Sequence, residues 1–257
     1  MNSKYEISTK ENREFLKASC EELLNFGHRF PSPNGGSYYL GDDGTPWKDR
    51  NRETWITCRM AHVYSLGLML GHEGSGELAD AALKGLKGEL HDEKNGGWYA
   101  GVTPEGDIVP NKQCYAHAFV ILAASSALTA GRPGAKELLE EALAVYDRHF
   151  WNEEEGLACD TWNTEFTVMD DYRGLNANMH TVEAFLAAGD VIGDKKYHIR
   201  AGRIIDHVIG WAEDNNWRIP EHFTKEWVED LDCNRDRPDD PFNHTAQHRD
   251  MESNGQG

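Results

Sequence analysis

Residues Asn51–Gly71, NRETWITCRMAHVYSLGLMLG, form the stretch that decides the fold. Their apolar side chains leave no continuous polar face, so they predict a helix that is buried on nearly all sides. The exception is Arg59, whose guanidinium stays charged and is costly to bury alone. Arg59 must therefore face a carboxylate, a water-filled cavity or a ligand. Trp55 lies one turn before it on the same helix face.

Six further helices are predicted along the chain. Two of them are again almost wholly apolar, over Lys112–Gly131 and Asn176–Gly189. The other four are amphipathic, over Glu11–Phe26, Glu77–Leu90, Ala135–Phe150 and Lys196–Trp211. Turn-rich segments with hairpin signals, such as Asp43-Gly44, separate the helices.

The apolar helices recur at a regular interval. Arg59, His117 and His180 lie at comparable points of the three helices, 58 and then 63 residues apart. A period near sixty indicates a helical repeat array. Helices that are buried all round and alternate with amphipathic ones imply two concentric layers, with the apolar helices inside. The predicted fold class is therefore all-α, an α/α toroid with short β-hairpin loops and with no linker that divides it into domains.

Composition restricts the class of protein. At 257 residues, with 39% hydrophobic residues and eight tryptophans, the chain is long enough for a sizeable core. Its net charge of -18 opposes binding to nucleic acid or to anionic membranes. It has neither an apolar signal segment nor a membrane span, so we expect a cytoplasmic protein. The odd number of widely spaced cysteines argues against disulfides and zinc sites and favours reduced, buried thiols: Cys20, Cys58, Cys114, Cys159 and Cys233.

The polar residues of the inner helices are the candidates for a functional site, because they converge on the central cavity of a toroid. The candidates are Trp55, Arg59, Tyr115, His117, Asn176 and His180, together with Glu221 and His222 in the last loop. A single histidine in an apolar helix is more often a hydrogen-bonded core residue than a functional one. Recurrence in successive repeats favours a shared site. Aromatic rings beside Arg, Asn, His and Glu suit a sugar, which stacks its ring faces and hydrogen-bonds through its hydroxyls.

Four segments carry a resemblance to a known family, namely RETWITCRMAHVYSLG, CYAHAFVILAASSA, YRGLNANMHTVEAFL and RIPEHF. From about Pro31 to Phe242 the chain resembles the N-acylglucosamine 2-epimerase superfamily, especially its aldose–ketose isomerase branch, which acts on mannose and sulfoquinovose. The resemblance implies an (α/α)6 barrel of twelve helices. It also implies proton transfer between C1 and C2 of an opened monosaccharide through an enediol-type intermediate, without a metal or cofactor.

The resemblance extends to single residues. It implies substrate contacts for Arg59, Tyr115, Asn176 and His180 and a pocket-lining role for Trp55. A cationic Arg59 near the carbonyl oxygen would stabilise enolate charge, and His180 would shuttle protons near neutral pH, so both are expected to be catalytic. The remaining candidates, Trp55, Tyr115, His117, Asn176, Glu221 and His222, are expected to bind the substrate.

The end of the chain departs from the family. Where the family continues with a motif resembling PYG-x-TPGH-x-x-EW and a further essential histidine, this chain has Asn243–Gly257, NHTAQHRDMESNGQG. We therefore expect residues 1–242 to form a partial barrel of about seven of the twelve helices, and residues 243–257 to be a disordered tail from a shifted reading frame. His244 and His248 would then not be catalytic, and the chain as it stands is expected to show no isomerase activity.

Three other functions stay open at this point. A 2-epimerase would use the same pocket and the same first proton abstraction but return the proton to C2. A glycoside hydrolase on the same toroid would need two carboxylates flanking a glycosidic oxygen, whereas the inner-helix candidates are mostly His, Arg and Asn. A non-catalytic sugar-binding fragment would bind without turnover. The sequence does not decide the oligomeric state.

Overall fold

Seven α-helices and eleven short strands alternate through residues 6–234, the part of the chain that the computed structural model describes. The helices are α1 (Lys10–Gly27), α2 (Thr54–Met69), α3 (Ser75–Leu86), α4 (Cys114–Thr129), α5 (Ala135–His149), α6 (Leu175–Ile192) and α7 (Lys195–Asp214). The strands pair antiparallel: β1 (Tyr39–Leu40) with β2 (Pro46–Trp47), β4 (Gly101–Val102) with both β3 (Arg52–Glu53) and β5 (Ile108–Val109), β6 (Asn111–Gln113) with β9 (Thr161–Asn163), β7 (Trp151–Asn152) with β8 (Leu157–Ala158), and β10 (Arg173–Gly174) with β11 (His222–Phe223).

The helices form two layers. The inner helices α2, α4 and α6 lie side by side, with α4 in the middle, and α3, α5 and α7 each pack on the outside of the inner helix that precedes them. Helix α1 adds a further outer element, since the Tyr64 hydroxyl of α2 donates to the Leu24 carbonyl. The arrangement is an arc of an (α/α)6 toroid with seven of its twelve helices, so the predicted fold class is confirmed.

The burial of each helix explains its sequence pattern. Helix α4, flanked by inner helices on both sides, is buried along nearly all its length. The outer helix α7 buries one stripe, Tyr197, Ala201 and Ile204, at the spacing expected of an amphipathic helix. Helix α2 leaves Val63 and Leu66 about 40% exposed, so its apolar surface is only partly covered.

The links between helices show the repeat directly. Helix α2 is joined to α3 through Gly71 and Gly74, and α4 is joined to α5 through Gly131 and Gly134. All four glycines have positive φ values between 67° and 81°, a conformation that side chains with a Cβ rarely adopt. Each pair of equivalent glycines is sixty residues apart. This spacing fixes which residues of α2 and α4 occupy the same position.

The predicted helices are all present, with different ends. Residues 51–53 and 112–113 are not helical, because Arg52–Glu53 and Asn111–Gln113 pair as strands with distant parts of the chain. Helix α6 runs on to Ile192 and ends at Gly193, which has a φ of 73°. None of the described helices is long and apolar enough to cross a membrane. Residues 243–257, with His244 and His248, lie outside the described residues.

All five cysteines lie within residues 6–234 and are thiols rather than disulfides. Cys58 and Cys114 are buried, and burial raises the pKa of both. Cys20, Cys159 and Cys233 are partly exposed. The prediction of thiols is confirmed, whereas full burial holds for two of the five.

Candidate functional site

The starts of the three inner helices lie at one rim of the arc, because each follows directly on a strand. Thr54, Cys114 and Leu175 are the first residues of α2, α4 and α6, and the backbone N–H of each donates to a loop carbonyl, at 3.0, 2.7 and 2.9 Å. These equivalent hydrogen bonds attach the first residue of each inner helix to a later loop of the chain in the same way. The next residues of each helix therefore point into a shared region.

Two rows of side chains follow from this register. The second residues of the three helices are Trp55, Tyr115 and Asn176, and the sixth residues are Arg59, Phe119 and His180. One helical turn separates the rows, so both lie on the same face. Five of these six residues were predicted from the sequence. Phe119 was not, although it lies sixty residues after Arg59 and sixty-one before His180.

Arg59 has an aromatic and hydroxyl environment. Its guanidinium lies over the rings of Trp55 and Phe119, 5.2 and 4.7 Å from their centroids, and its Nη2 donates to the Tyr115 hydroxyl at 3.2 Å. The residue is exposed, and it forms no ion pair with a carboxylate among residues 6–234. Of the three environments expected for Arg59, a carboxylate partner is therefore not found among residues 6–234, and the guanidinium faces open space.

His180 completes this cluster from the third helix. Its ring lies edge-on to Tyr115, with centroids 5.1 Å apart, and tilted against Phe119 at 4.6 Å. Burial raises the pKa of Tyr115, while Arg59 acts in the opposite direction. The Tyr115 hydroxyl therefore keeps its proton at neutral pH, and because it accepts from Arg59, its hydrogen remains available to a ligand.

A cleft of about 610 Å³ opens next to the cluster. This volume lies within the usual range of about 300–1,000 Å³ for small-molecule sites. Three of its lining residues are predicted from the sequence, namely Trp55, Tyr115 and Asn176. Four are not predicted: Tyr39, Arg50, Asn51 and Glu53. Within residues 6–234, no three His, Cys, Asp or Glu side chains come together as a set of metal ligands.

Glu53 organises the wall of the cleft. Its Oε2 accepts hydrogen bonds from the Trp55 indole, at 2.6 Å, and from the Tyr39 hydroxyl. The Trp55 ring also packs edge-on against Tyr39 and Tyr115, with centroids about 6 Å apart in each case. One carboxylate thus fixes two aromatic side chains that come from different parts of the chain.

The structure does not bring His117 into this cluster. It is the fourth residue of α4, two positions before Phe119, and is only 1% exposed. Its Nδ1 donates to the Gln113 carbonyl at 2.7 Å, and its Nε2 accepts from the Trp98 N–H at 3.1 Å. The expectation that His117 matches Arg59 and His180 is corrected, because the true counterpart is Phe119. His117 instead holds the loop at Trp98 against α4.

Glu221 and His222 belong to the last loop and its strand β11, and they lie next to the start of α6. The Glu221 carbonyl accepts the Leu175 N–H, and His222 is buried with its Nδ1 bonded to the Tyr172 hydroxyl at 2.7 Å. Strand β11 thus ties the last loop to the helix that carries Asn176 and His180. These bonds anchor the rim of the site rather than joining the Arg59 cluster.

The burial of His117 leads to a prediction about stability. Burial lowers the pKa of His117 from 6.5 to about 3. Between these values the unfolded chain binds a proton that the folded protein does not, so His117 destabilises the fold as pH falls below 6.5. We expect the free energy of unfolding to lose about 2–3 kcal/mol from this residue between about pH 7 and pH 4.5. Urea denaturation at several pH values measures it.

The comparison that isolates this effect uses His117→Asn. This variant should be less stable at neutral pH but show a flatter dependence on pH. Asp160 acts in the opposite sense in both proteins, because burial raises its pKa to about 7 and its carboxyl holds a proton in the folded state. Parallel pH profiles for the two proteins would contradict the assignment of a buried neutral imidazole at His117.

Fold and site together define an α/α-toroid protein with an open cleft that is lined by aromatic rings and polar side chains and lies beside Arg59 and His180. A sequence model of N-acylglucosamine 2-epimerase (GlcNAc 2-epimerase) matches residues 35–248. The chain belongs to this family.

Curated relatives and a solved structure agree with this assignment. The D-mannose isomerase of Thermobifida fusca is 41% identical over 233 residues, covering 90% of this chain and 57% of the relative. The D-mannose isomerase of Pseudomonas cannabina pv. alisalensis is 38% identical over 246 residues, covering 94% and 59%. A crystal structure of D-mannose isomerase superposes with a TM-score of 0.83 at 27% identity, covering 93% of this chain and 61% of that one. The chain thus spans less than two thirds of the length of these relatives.

Proposed function

We propose that this chain carries the sugar-binding face of an aldose–ketose isomerase that interconverts mannose and fructose or a close analogue. The observation that carries the proposal is Arg59, an exposed guanidinium bonded to Tyr115 and seated between two aromatic rings. Such a group is preorganised to receive a developing negative charge on oxygen. The similarity to two D-mannose isomerases supports mannose as the substrate.

The reaction moves hydrogen within one sugar. A base removes the proton from C2 of the open-chain aldose, and the electron pair of that bond forms a C1–C2 double bond while the carbonyl oxygen takes up a proton. The resulting enediol gives the ketose when C1 is protonated and the C2 hydroxyl loses its proton. The sugar carbons exchange oxidation states with each other, so no external oxidant or reductant enters the balance.

The residues of the cluster suit separate parts of this reaction. Arg59 would hold the carbonyl oxygen and stabilise the enediolate. His180 would carry a proton to or from the sugar through its imidazole ring. Tyr115 and Asn176 would hydrogen-bond sugar hydroxyls, and Trp55 would stack on the carbon chain. Glu221 and His222 would support the rim at α6 rather than contact the reacting carbons.

The test uses a fusion protein, defined as residues 1–242 of this chain joined to the C-terminal part of the Thermobifida fusca D-mannose isomerase that follows the matched segment. We expect it to convert mannose to fructose. When the reaction runs in D₂O, we expect deuterium at C1 of the fructose product. NMR of the products measures both. Conversion of mannose to its C2 epimer alone would replace the proposal with a 2-epimerase, and a folded fusion protein without turnover would overturn it.

The 257-residue chain is measured alongside the fusion protein. The sequence-based expectation is that it does not turn mannose over, whereas the described cluster should still bind sugar. Mannitol, an open-chain analogue that does not react, serves as the probe in NMR titrations. Perturbation of Trp55 and Tyr115 signals would support binding at the cleft. Equal titrations with the wild type and Arg59→Lys would place any binding elsewhere.

A further inference from the structure

Glu183 is a carboxylate on the inner surface to which the proposed reaction gives no role. It lies one turn after His180 on α6, and its Oε2 is 3.1 Å from His180 Nδ1. The His180 side chain is 16% exposed, whereas that of Glu183 is 50% exposed. Glu183 also acts electrostatically on His62 of α2, whose lowered pKa it partly restores against burial. Glu183 therefore lies on the same face of α6 as His180, whose ring contacts Tyr115 and Phe119 of the Arg59 cluster.

The hydrogen bond determines which nitrogen of His180 carries the proton. An ionised carboxylate only accepts hydrogen bonds, so Nδ1 must donate. Nε2 of the neutral ring is then an unprotonated acceptor. It has no hydrogen-bond partner in the described part of the chain, and it is not among the buried polar atoms that lack one. An accessible lone pair at Nε2 is what a proton-abstracting imidazole requires.

The aromatic neighbours of His180 do not determine which of its ring nitrogens faces Glu183. Tyr115 and Phe119 restrict the tilt of the His180 ring through contacts at 5.1 and 4.6 Å. Rotating the ring by half a turn exchanges nitrogen and carbon positions but keeps its shape, so ring packing discriminates weakly between the two orientations. A directional hydrogen bond distinguishes them, because only one orientation places Nδ1–H against the carboxylate.

We propose that Glu183 is the positioning residue of His180: it holds the ring in the Nδ1–H tautomer and leaves Nε2 free to exchange protons with the sugar. This inference rests on the proposed function for its consequence, since His180 acts on substrate only if the chain is a sugar isomerase. The tautomer itself is a property of the folded chain and is measured without substrate.

The experiment records two-bond ¹H–¹⁵N spectra of the ¹⁵N-histidine-labelled 257-residue chain in a pH series up to about pH 9 and identifies the tautomer from the spectra of the neutral ring. The His180 signals are assigned by their loss in His180→Asn. We expect the pattern of an Nδ1–H imidazole in the wild type and a shift toward the Nε2–H form in Glu183→Leu, which has no acceptor. Glu183→Gln keeps a neutral acceptor oxygen and should keep most of the Nδ1–H form.

The matched control is Asp190→Leu on the same helix. Asp190 also pairs with a histidine, His198, at 2.8 Å, so this variant removes an equivalent carboxylate. It should leave the His180 signals unchanged. Because Glu183 is half exposed, its substitution leaves the core intact, and Glu183→Ala provides a second variant with the same expectation as Glu183→Leu. Unchanged His180 tautomer signals in both variants would overturn the inference.

Kinetics of the fusion protein add a readout that a structural ion pair would not move. Glu183→Leu should lower kcat by roughly 10- to 100-fold, the scale found for partners that orient metal-bound histidines, with KM little changed. If the fusion protein shows no turnover at all, the proposed function fails while the tautomer result stands. If the fusion protein turns over and the tautomer is indifferent to Glu183, the inference alone fails.

Discussion

Arg59→Lys is expected to lower kcat of the fusion protein with mannose about 100-fold, the lower end of the range for losing one donor to a developing oxyanion. The guanidinium has a planar set of donors, so it can bond Tyr115 and a sugar oxygen at the same time while it stacks between Trp55 and Phe119. A lysine ammonium keeps the positive charge, but it lacks the planar set of N–H donors and the flat faces that stack on aromatic rings. Initial rates of fructose formation measure the loss.

The control for this substitution is Arg203→Lys. Arg203 pairs with Glu153 on the outer layer at 2.7 Å, away from the cleft, and should tolerate the change with little effect on kcat. Thermal unfolding of both variants checks that the fold is intact. If Arg59→Lys turns over as fast as the wild type, Arg59 serves the packing of the aromatic cluster and not the reacting oxygen.

The two-layer fold could be predicted because the burial of a helix, on one side or on all sides, determines the pattern of apolar residues along its own sequence. Helix α4 is apolar all round and buried all round, and α7 is amphipathic and buried along one stripe. The strands that lead into the inner helices could not be predicted in the same way. Lys112, for example, is extended because it pairs with Trp162, fifty residues later, and no local pattern encodes that partner.

The site was predicted in part for a related reason. Arg59 and His180 are polar residues in apolar helices, which marks them as candidates, and the same criterion also selects His117. Position along the helix is the better criterion. The glycines that follow α2 and α4 are sixty residues apart, and applying that offset to Arg59 gives Phe119. The sequence therefore contains a signal for Phe119 in the sixty-residue repeat, but a search for polar residues does not select an apolar side chain.

The loop residues of the cleft had no such signal. Tyr39 begins the β1–β2 hairpin and Arg50 follows it, and both line the cleft, where Tyr39 donates to Glu53 and Arg50 stacks on Trp47 at 4.3 Å. These contacts depend on how the hairpin folds back on the start of α2. Periodicity describes helices, and it gives no information about where a loop side chain points.

A buried ion pair between Lys112 and Asp92 stabilises the turn that precedes Trp98, next to the start of α4. The two side chains are 0% and 1% exposed, and Lys112 Nζ lies 2.8 Å from Asp92 Oδ2. Asp92 also accepts from the backbone N–H groups of Lys94 and Asn95, both at 3.0 Å. Although burial acts to raise the pKa of Asp92, the hydrogen bonds from Lys112 and Asn95 hold it well below its usual value. The pair thus fixes the turn before Trp98, which bonds His117 at the start of α4.

Lys112→Met should destabilise the protein by about 3–5 kcal/mol, because it leaves Asp92 as a buried carboxylate without a counter-charge. Chemical denaturation at neutral pH measures the loss. Lys10→Met is the matched control, since Lys10 pairs with Glu14 at 3.4 Å on the surface, where such pairs contribute less than about 1 kcal/mol. Adding Asp92→Asn to Lys112→Met should recover part of the loss, because the neutral amide oxygen still caps the turn. A Lys112→Met variant as stable as Lys10→Met would mean that water solvates the Asp92 carboxylate, and that the turn before α4 does not depend on the ion pair.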